Sequence, residues 1–184
     1  MIWLSKCQPS AGPVLSGRIK DVKWNPPEVG SWKLNVDAAT LYKDRSIGLG
    51  IIIRNGLGGV SAAKSTHLKA MYSPIIAEAL AVWHGLLLAG DHGLTPCLIE
   101  LDSLQVVEMI NKGIPPMSDV GPIISMICGF LRMHLGCGIS HIPRNANFVA
   151  HSLAKAVLSL DSDCYWLECC PPCVERLVLL EASG

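Results

Sequence analysis

From Trp32 to Ala38 the chain alternates: Trp32, Leu34 and Val36 are separated by Lys33, Asn35 and Asp37. That two-residue period belongs to a half-buried strand. Ser46–Arg54, with Ile47, Leu49, Ile51, Ile52 and Ile53, reads as a second strand. Asn55-Gly56 follows as a hairpin turn signal, and a third strand runs to about Thr66. The domain thus opens on three strands, expected to form an antiparallel meander. Then the period lengthens. Ser73-Pro74 offers a cap and a first helical residue with its φ preset, and Ile75–Ala89 carries apolar residues at helical spacing. Pro96–Asp102 predicts a fourth strand, with Ile99 and Leu101 on one face and Glu100 and Asp102 on the other. Ser103–Lys112 is a short helix stopped by Gly113 and Pro115-Pro116. Ser118–His134 forms another, Cys137–Ile142 a fifth strand, and Asn145 caps a last helix through Ser159. This order predicts an α/β fold: a five-stranded mixed sheet, its first three strands antiparallel, flanked by helices. Residues 1–23 read as a leader or linker, 24–160 as the domain and 161–184 as a Cys-rich C-terminal tail.

Composition narrows the function. Half of the 184 residues are hydrophobic and 16% are charged, which permits a buried core and excludes global disorder. Fifteen basic and fifteen acidic residues cancel, so binding driven by bulk positive charge is excluded, while a local basic groove is not. The longest apolar runs, Ile75–Ala89 and Val120–Leu131, are interrupted by Glu78, His84, Gly85, Pro122 and Gly129 and read as core helices. The first residues lack a basic head followed by a long apolar stretch, so a soluble intracellular protein without a membrane partner is expected. Among the eight cysteines, Cys170-Pro-Pro-Cys173 has the spacing of half a zinc site, but the matching second pair is missing. Free thiols on an exposed tail are the expectation. A nucleotide-binding reading of Gly48-Leu-Gly50 fails, because these glycines sit inside a strand and open no helix.

The candidate chemistry rests on carboxylates. Asp37 lies on the polar face of the first strand, Glu78 early in the first helix, and Asp102 at the end of the fourth strand. If these elements converge, three acids meet at one end of the sheet, where mutual repulsion raises their pKa values unless a cation neutralises them. Oxygen ligands of this kind suit Mg²⁺ or Mn²⁺.

The segments carrying these acids resemble the ribonuclease H type 1 family, in particular the plant branch found in non-LTR retrotransposon polyproteins. The matching text is Trp24-Asn-Pro-Pro, Trp32-Lys-Leu-Asn-Val-Asp37-Ala, Ile51-Ile-Ile-Arg-Asn-Gly56, Ala77-Glu78-Ala-Leu-Ala-Val-Trp-His-Gly-Leu, Ile99-Glu-Leu-Asp102-Ser-Leu-Gln and His141-Ile-Pro-Arg-Asn-Ala-Asn147-Phe-Val-Ala-His151-Ser-Leu-Ala. The resemblance covers about residues 24–160 and implies the ribonuclease H-like fold. It implies a metal-dependent endonuclease that cuts the RNA strand of RNA–DNA hybrids with two Mg²⁺ or Mn²⁺ ions. Asp37, Glu78 and Asp102 would be the metal-binding carboxylates, and His141 would assist proton movement or product release. Asn147 and Arg144 would contact substrate.

The chain departs from the family at His151, where the last helix normally carries a fourth acid. A neutral imidazole can ligate metal but removes one negative charge, so weaker Mg²⁺ binding and a relative gain with Mn²⁺ are expected. Ala38 and Ala39 stand where the family favours glycine after the aspartate, which threatens to crowd the RNA backbone. Lys43, Arg45, Arg54, Lys112 and Arg144 are the scattered candidates for phosphate contacts. A monomer is expected, placed in the nucleus by the retroelement resemblance or else in the cytoplasm. The competing reading is a ribonuclease H-like nucleic-acid-binding or interaction module whose catalysis has weakened.

Overall fold

The computed structural model of the chain describes residues 23–160 and 162–182. The expected leader thus lies outside the described residues except for Lys23. The chain runs β1 (Trp32–Leu41), β2 (Ser46–Asn55), β3 (Val60–Leu68), α1 (Pro74–Asp91), β4 (Cys97–Leu101), α2 (Leu104–Lys112), α3 (Gly121–Met133), β5 (Gly138–His141), α4 (Phe148–Ala156), β6 (Cys164–Leu167) and α5 (Glu175–Ala182). One mixed sheet holds the strands in the order β5-β4-β1-β2-β3-β6. The first three form the antiparallel meander, while β4 and β5 join parallel beside β1.

The alternation in β1 decides which layer each residue meets. Leu34 and Val36 point into the main core with the β2 residues Ile47, Leu49, Ile51 and Ile53, under α1, α2 and α3. The opposite face of β2 carries Ile52, which packs with Ala63, Val149, Leu153, Val174 and Val178 under α4 and α5. Covering on both faces explains why β2 is almost continuously apolar. α1 is long and apolar enough to pass for a membrane span by length and composition. Here its apolar residues pack into the main core. Gly85 lets it sit close, since a Cβ there would lie 2.9 Å from the Val36 side chain. Glu78, two turns earlier on the same helix, is thereby held over β1.

One expectation needs correcting: the sheet has six strands, not five. The additional strand is β6, within the segment read as a Cys-rich tail, and it pairs antiparallel with β3. Its Cys-Tyr-Trp-Leu text alternates half-buried and exposed positions, the pattern of an edge strand. Cys164, Cys169, Cys170 and Cys173 are free, and among the described residues no three thiols converge on a metal-sized space.

α5 closes a buried polar network. Arg54 is 1% exposed, so it cannot contact phosphate as expected. Its guanidinium pairs with Glu181 of α5 at 2.5 Å and donates to Asn35 Oδ1 at 3.0 Å. Asn35 in turn donates to Glu100, which pairs with Lys33 at 2.9 Å. Trp24 covers the Arg54 guanidinium, with its ring centroid 3.5 Å away. Burying a guanidinium is tolerated only while its partner stays. Glu181→Ala is therefore expected to cost about 2–4 kcal/mol. Urea unfolding checks this, and a loss below ~0.5 kcal/mol, the level of an ordinary surface substitution, would contradict it.

Candidate active site

β1 outruns β4. Their pairing ends at the Asn35–Glu100 row, so Asp37 projects beyond the last row shared with β4. Asp102 follows the last residue of β4 directly, and Glu78 comes down from the second turn of α1. The three carboxylates converge, each offering an oxygen within 4.8 Å of the others. This is the only such group among the described residues. Asp37 is 2% exposed, and Glu78 Oε2 is buried without a hydrogen-bond partner.

Such crowding has an electrostatic consequence. Burial first, and then the Asp102 carboxylate, push Asp37 up to about 8, against smaller opposing pulls from Arg144 and the Ala38 backbone N–H. Burial, then Asp37 and Asp102, push Glu78 up to about 9. An orphaned carboxylate oxygen among acids that repel one another fits a hard divalent cation, which would satisfy the oxygen and neutralise the cluster.

His151, from the second half-turn of α4, reaches Asp37 with Nδ1 2.7 Å from Oδ2. Burial, followed by Arg144 and Lys155, holds the imidazole below its ordinary pKa, with Asp102 pulling the other way. The contact is therefore a hydrogen bond of a neutral ring. With Asp37 ionised, Nδ1–H donates to it, while one Arg144 guanidinium nitrogen stands 3.3 Å from both ring nitrogens, against the ring. His151 touches Asp37 but lies outside the group of three carboxylates. Arg144, expected at substrate, lies against the imidazole and lends positive charge to the acids.

Asn147 departs from its expected role. It is 1% exposed and donates to the Val36 backbone carbonyl at 2.8 Å, tying the start of α4 to β1. It is a brace and not a substrate contact. The helix also begins later than Asn145 suggests, because Arg144–Asn147 forms a 3-10 turn. His141 is exposed at the end of β5, in register with Leu101 and so one residue from Asp102. Ala38 packs its methyl against the main core, while its N–H dipole pulls the pKa values of Asp37 and Glu78 down.

Gly50, which the sequence places inside a strand without a role, proves to shape the site. It pairs with Asp37 across β1 and β2, and a Cβ there would fall 2.1 Å from the Ala150 carbonyl oxygen. Its bareness lets α4 lie on the sheet closely enough for His151 to reach Asp37. The available signal was its strand position opposite an acid.

Comparison with known proteins agrees with this architecture. A family profile described as reverse transcriptase-like matches residues 35–157, more than half of the chain. The chain belongs to this ribonuclease H-like family. An Arabidopsis thaliana protein named for ribonuclease H is 25% identical over 163 residues, covering 89% of this chain but 26% of that protein. The chain thus spans about a quarter of that curated relative. Ribonuclease H1 of the archaeon Halobacterium salinarum superposes with a TM-score of 0.65 at 22% identity, over 71% of this chain and 98% of the other. LC11 ribonuclease H1, solved with an RNA/DNA hybrid, gives 0.61 at 16% identity, over 68% and 95%. At these identities the structural likeness shows the fold.

The raised acids set a pH dependence. A carboxyl group whose folded pKa lies above its unfolded value contributes stability below the unfolded pKa, near 4, and loses it as pH rises through the folded value. For Asp37 and Glu78 that window runs from about 4 to about 8 and 9. The metal-free protein is expected to lose several kcal/mol, on the order of 5, between pH 5.5 and pH 8.5, and Mg²⁺ or Mn²⁺ to restore most of it. Thermal melts in chelator and in metal check this. A metal-free protein that becomes more stable across that window would contradict it.

Proposed function

We propose that the chain is a divalent-metal-dependent endonuclease that hydrolyses the RNA strand of RNA–DNA hybrids by a two-metal reaction. The observation that carries the reading is the convergence of Asp37, Glu78 and Asp102 from three elements, with the Glu78 oxygen left unpartnered. The hybrid-bound relative of the same fold supports the choice of substrate. Asp37 and Asp102 would hold the ions, and Glu78 would also fix the strand that carries the 2′-hydroxyl. Ions of this kind supply an activated water and charge stabilisation for the leaving 3′ oxygen. His141, exposed beside Asp102, is placed to move a proton, and Arg144 to present positive charge to a phosphate. Recognition through 2′-hydroxyls and phosphates needs few base contacts.

A second reading has its own observation. With a neutral His151 bonded to Asp37 and Arg144 against His151, the site carries less negative charge than an all-carboxylate set would. A chain with weakened chemistry would bind hybrids without cutting them. Incubating the purified full chain with labelled hybrid, RNA duplex and DNA duplex, in Mg²⁺ and separately in Mn²⁺, separates the two. Cutting confined to the RNA of the hybrid supports the nuclease; binding without cutting in either metal supports the module. In the same assay His151→Asp is expected to raise the Mg²⁺ to Mn²⁺ rate ratio by roughly threefold or more. An unchanged ratio would contradict a role for His151 in metal preference.

A further inference from the structure

Phe148, the first residue of α4, is 47% exposed. Its ring centroid is 6.1 Å from that of His151, which bonds to Asp37. Next to it opens a cleft of about 370 Å³, with Phe148 and Asn145 on one side and Leu177 and Leu180 of α5 on the other. Trp24 forms part of the lining, and its indole N–H has no hydrogen-bond partner. Lys23 stands at the same cleft and forms no ion pair among the described residues. Glu181 also borders it, but its carboxylate is held by Arg54.

We propose that this cleft takes one nucleobase from an unpaired flank of the nucleic acid lying across the carboxylates. The inference rests on the nuclease reading and extends it to substrate selection. The lining suits a base: a flat aromatic and leucine walls for the π-face, the Asn145 amide for a base edge, and the Lys23 ammonium for the adjoining phosphate. The volume lies in the range of small-ligand pockets, about 300–1,000 Å³. The cleft lies on the Phe148 side of His151, the residue that bonds to Asp37. An apolar peptide would bury the same leucines but would have no use for the amide and the ammonium.

The test is fluorescence anisotropy with the full chain carrying Asp37→Asn, in Mg²⁺, so that the RNA stays intact. The probes are a blunt hybrid, hybrids with a short unpaired flank at either end, the same flanks made abasic, and an unpaired single strand. A flank at one end is expected to tighten binding about tenfold, in keeping with stacking of a single base. Abasic flanks and Phe148→Ala should each abolish that gain while leaving the blunt hybrid unchanged, and Phe148→Trp should keep it. Equal binding of flanked and blunt hybrids overturns the proposal. So does a gain that survives in the abasic flank, or a Phe148→Ala loss of the same size on every probe. If flanks make no difference but the wild-type chain still cuts the blunt hybrid, only the base cleft is wrong. If unpaired strands alone bind, and do so through Phe148, the hybrid reading falls and the cleft stands. If nothing binds, both fall.

Discussion

Asp37→Asn is expected to lower hybrid cleavage by about 10³-fold or more, with the fold intact. Asp37 is the best-buried member of the carboxylate group, 2% exposed, and the one whose side chain His151 also grips. An amide at that position keeps the shape and can still accept from Nδ1–H, but it cannot supply a negative oxygen to a cation. The same change removes one of the mutually repelling acids. The metal-free variant should therefore be more stable than wild type at pH 8.5, where the wild-type Asp37 is forced to ionise. Loss of activity and gain of metal-free stability distinguish a site residue from a scaffold residue, whose removal lowers both. Single-turnover cleavage and thermal melts measure the two effects. A variant that cleaves at the wild-type rate, or melts lower than wild type without metal, would contradict the assignment. Asp44→Asn, at the exposed turn after β1, serves as the control and should change neither.

Gly50→Ala is expected to cost more than about 4 kcal/mol and to abolish cleavage with the fold. The new methyl would meet the Ala150 carbonyl oxygen at 2.1 Å, the Ala154 nitrogen at 2.4 Å and the Leu153 Cβ at 3.0 Å. These are backbone and near-backbone atoms that no rotamer change can move, so α4 must lift from the sheet. Lifting it separates His151 from Asp37 and Asn147 from the Val36 carbonyl. Gly129→Ala on α3 is the counterpart. A methyl there meets nothing within 4 Å, and a helical alanine should be neutral or stabilise by up to ~1 kcal/mol. Urea unfolding of both variants checks the contrast. A Gly50→Ala protein within ~1 kcal/mol of wild type would mean that the helix and sheet are less tightly apposed than described here.

Legibility in the sequence followed the range of the interactions. The alternation of β1 and the helical period of α1 are local, so those elements, the meander and the positions of Asp37, Glu78 and Asp102 could be read directly. What escaped depends on contacts far apart in the chain. Arg54 looks like a surface cation until Glu181, 127 residues later, is seen to bury it. Asn147 looks like a polar residue turned to substrate, yet it hydrogen-bonds to a β1 carbonyl 111 residues away. β6 has strand text of only four residues, too short for a period to stand out, and it forms because the edge of β3 is there to receive it. Gly50 fits no phosphate loop, and its local sequence names no other role. Its role appears only when α4 is laid over it.

The measurement that tests the central claim most directly is end-group analysis of the RNA fragments released from a labelled RNA–DNA hybrid in Mg²⁺ and in Mn²⁺. Attack by water held at the Asp37, Glu78 and Asp102 carboxylates, with the 3′ oxygen leaving, predicts internal cuts that end in 3′-hydroxyl and 5′-phosphate. The DNA strand should stay whole, and chelator should stop the reaction. Fragments ending in 2′,3′-cyclic phosphate, or cutting that persists in chelator, would show that the 2′-hydroxyl and not metal-held water makes the attack, and would contradict the account.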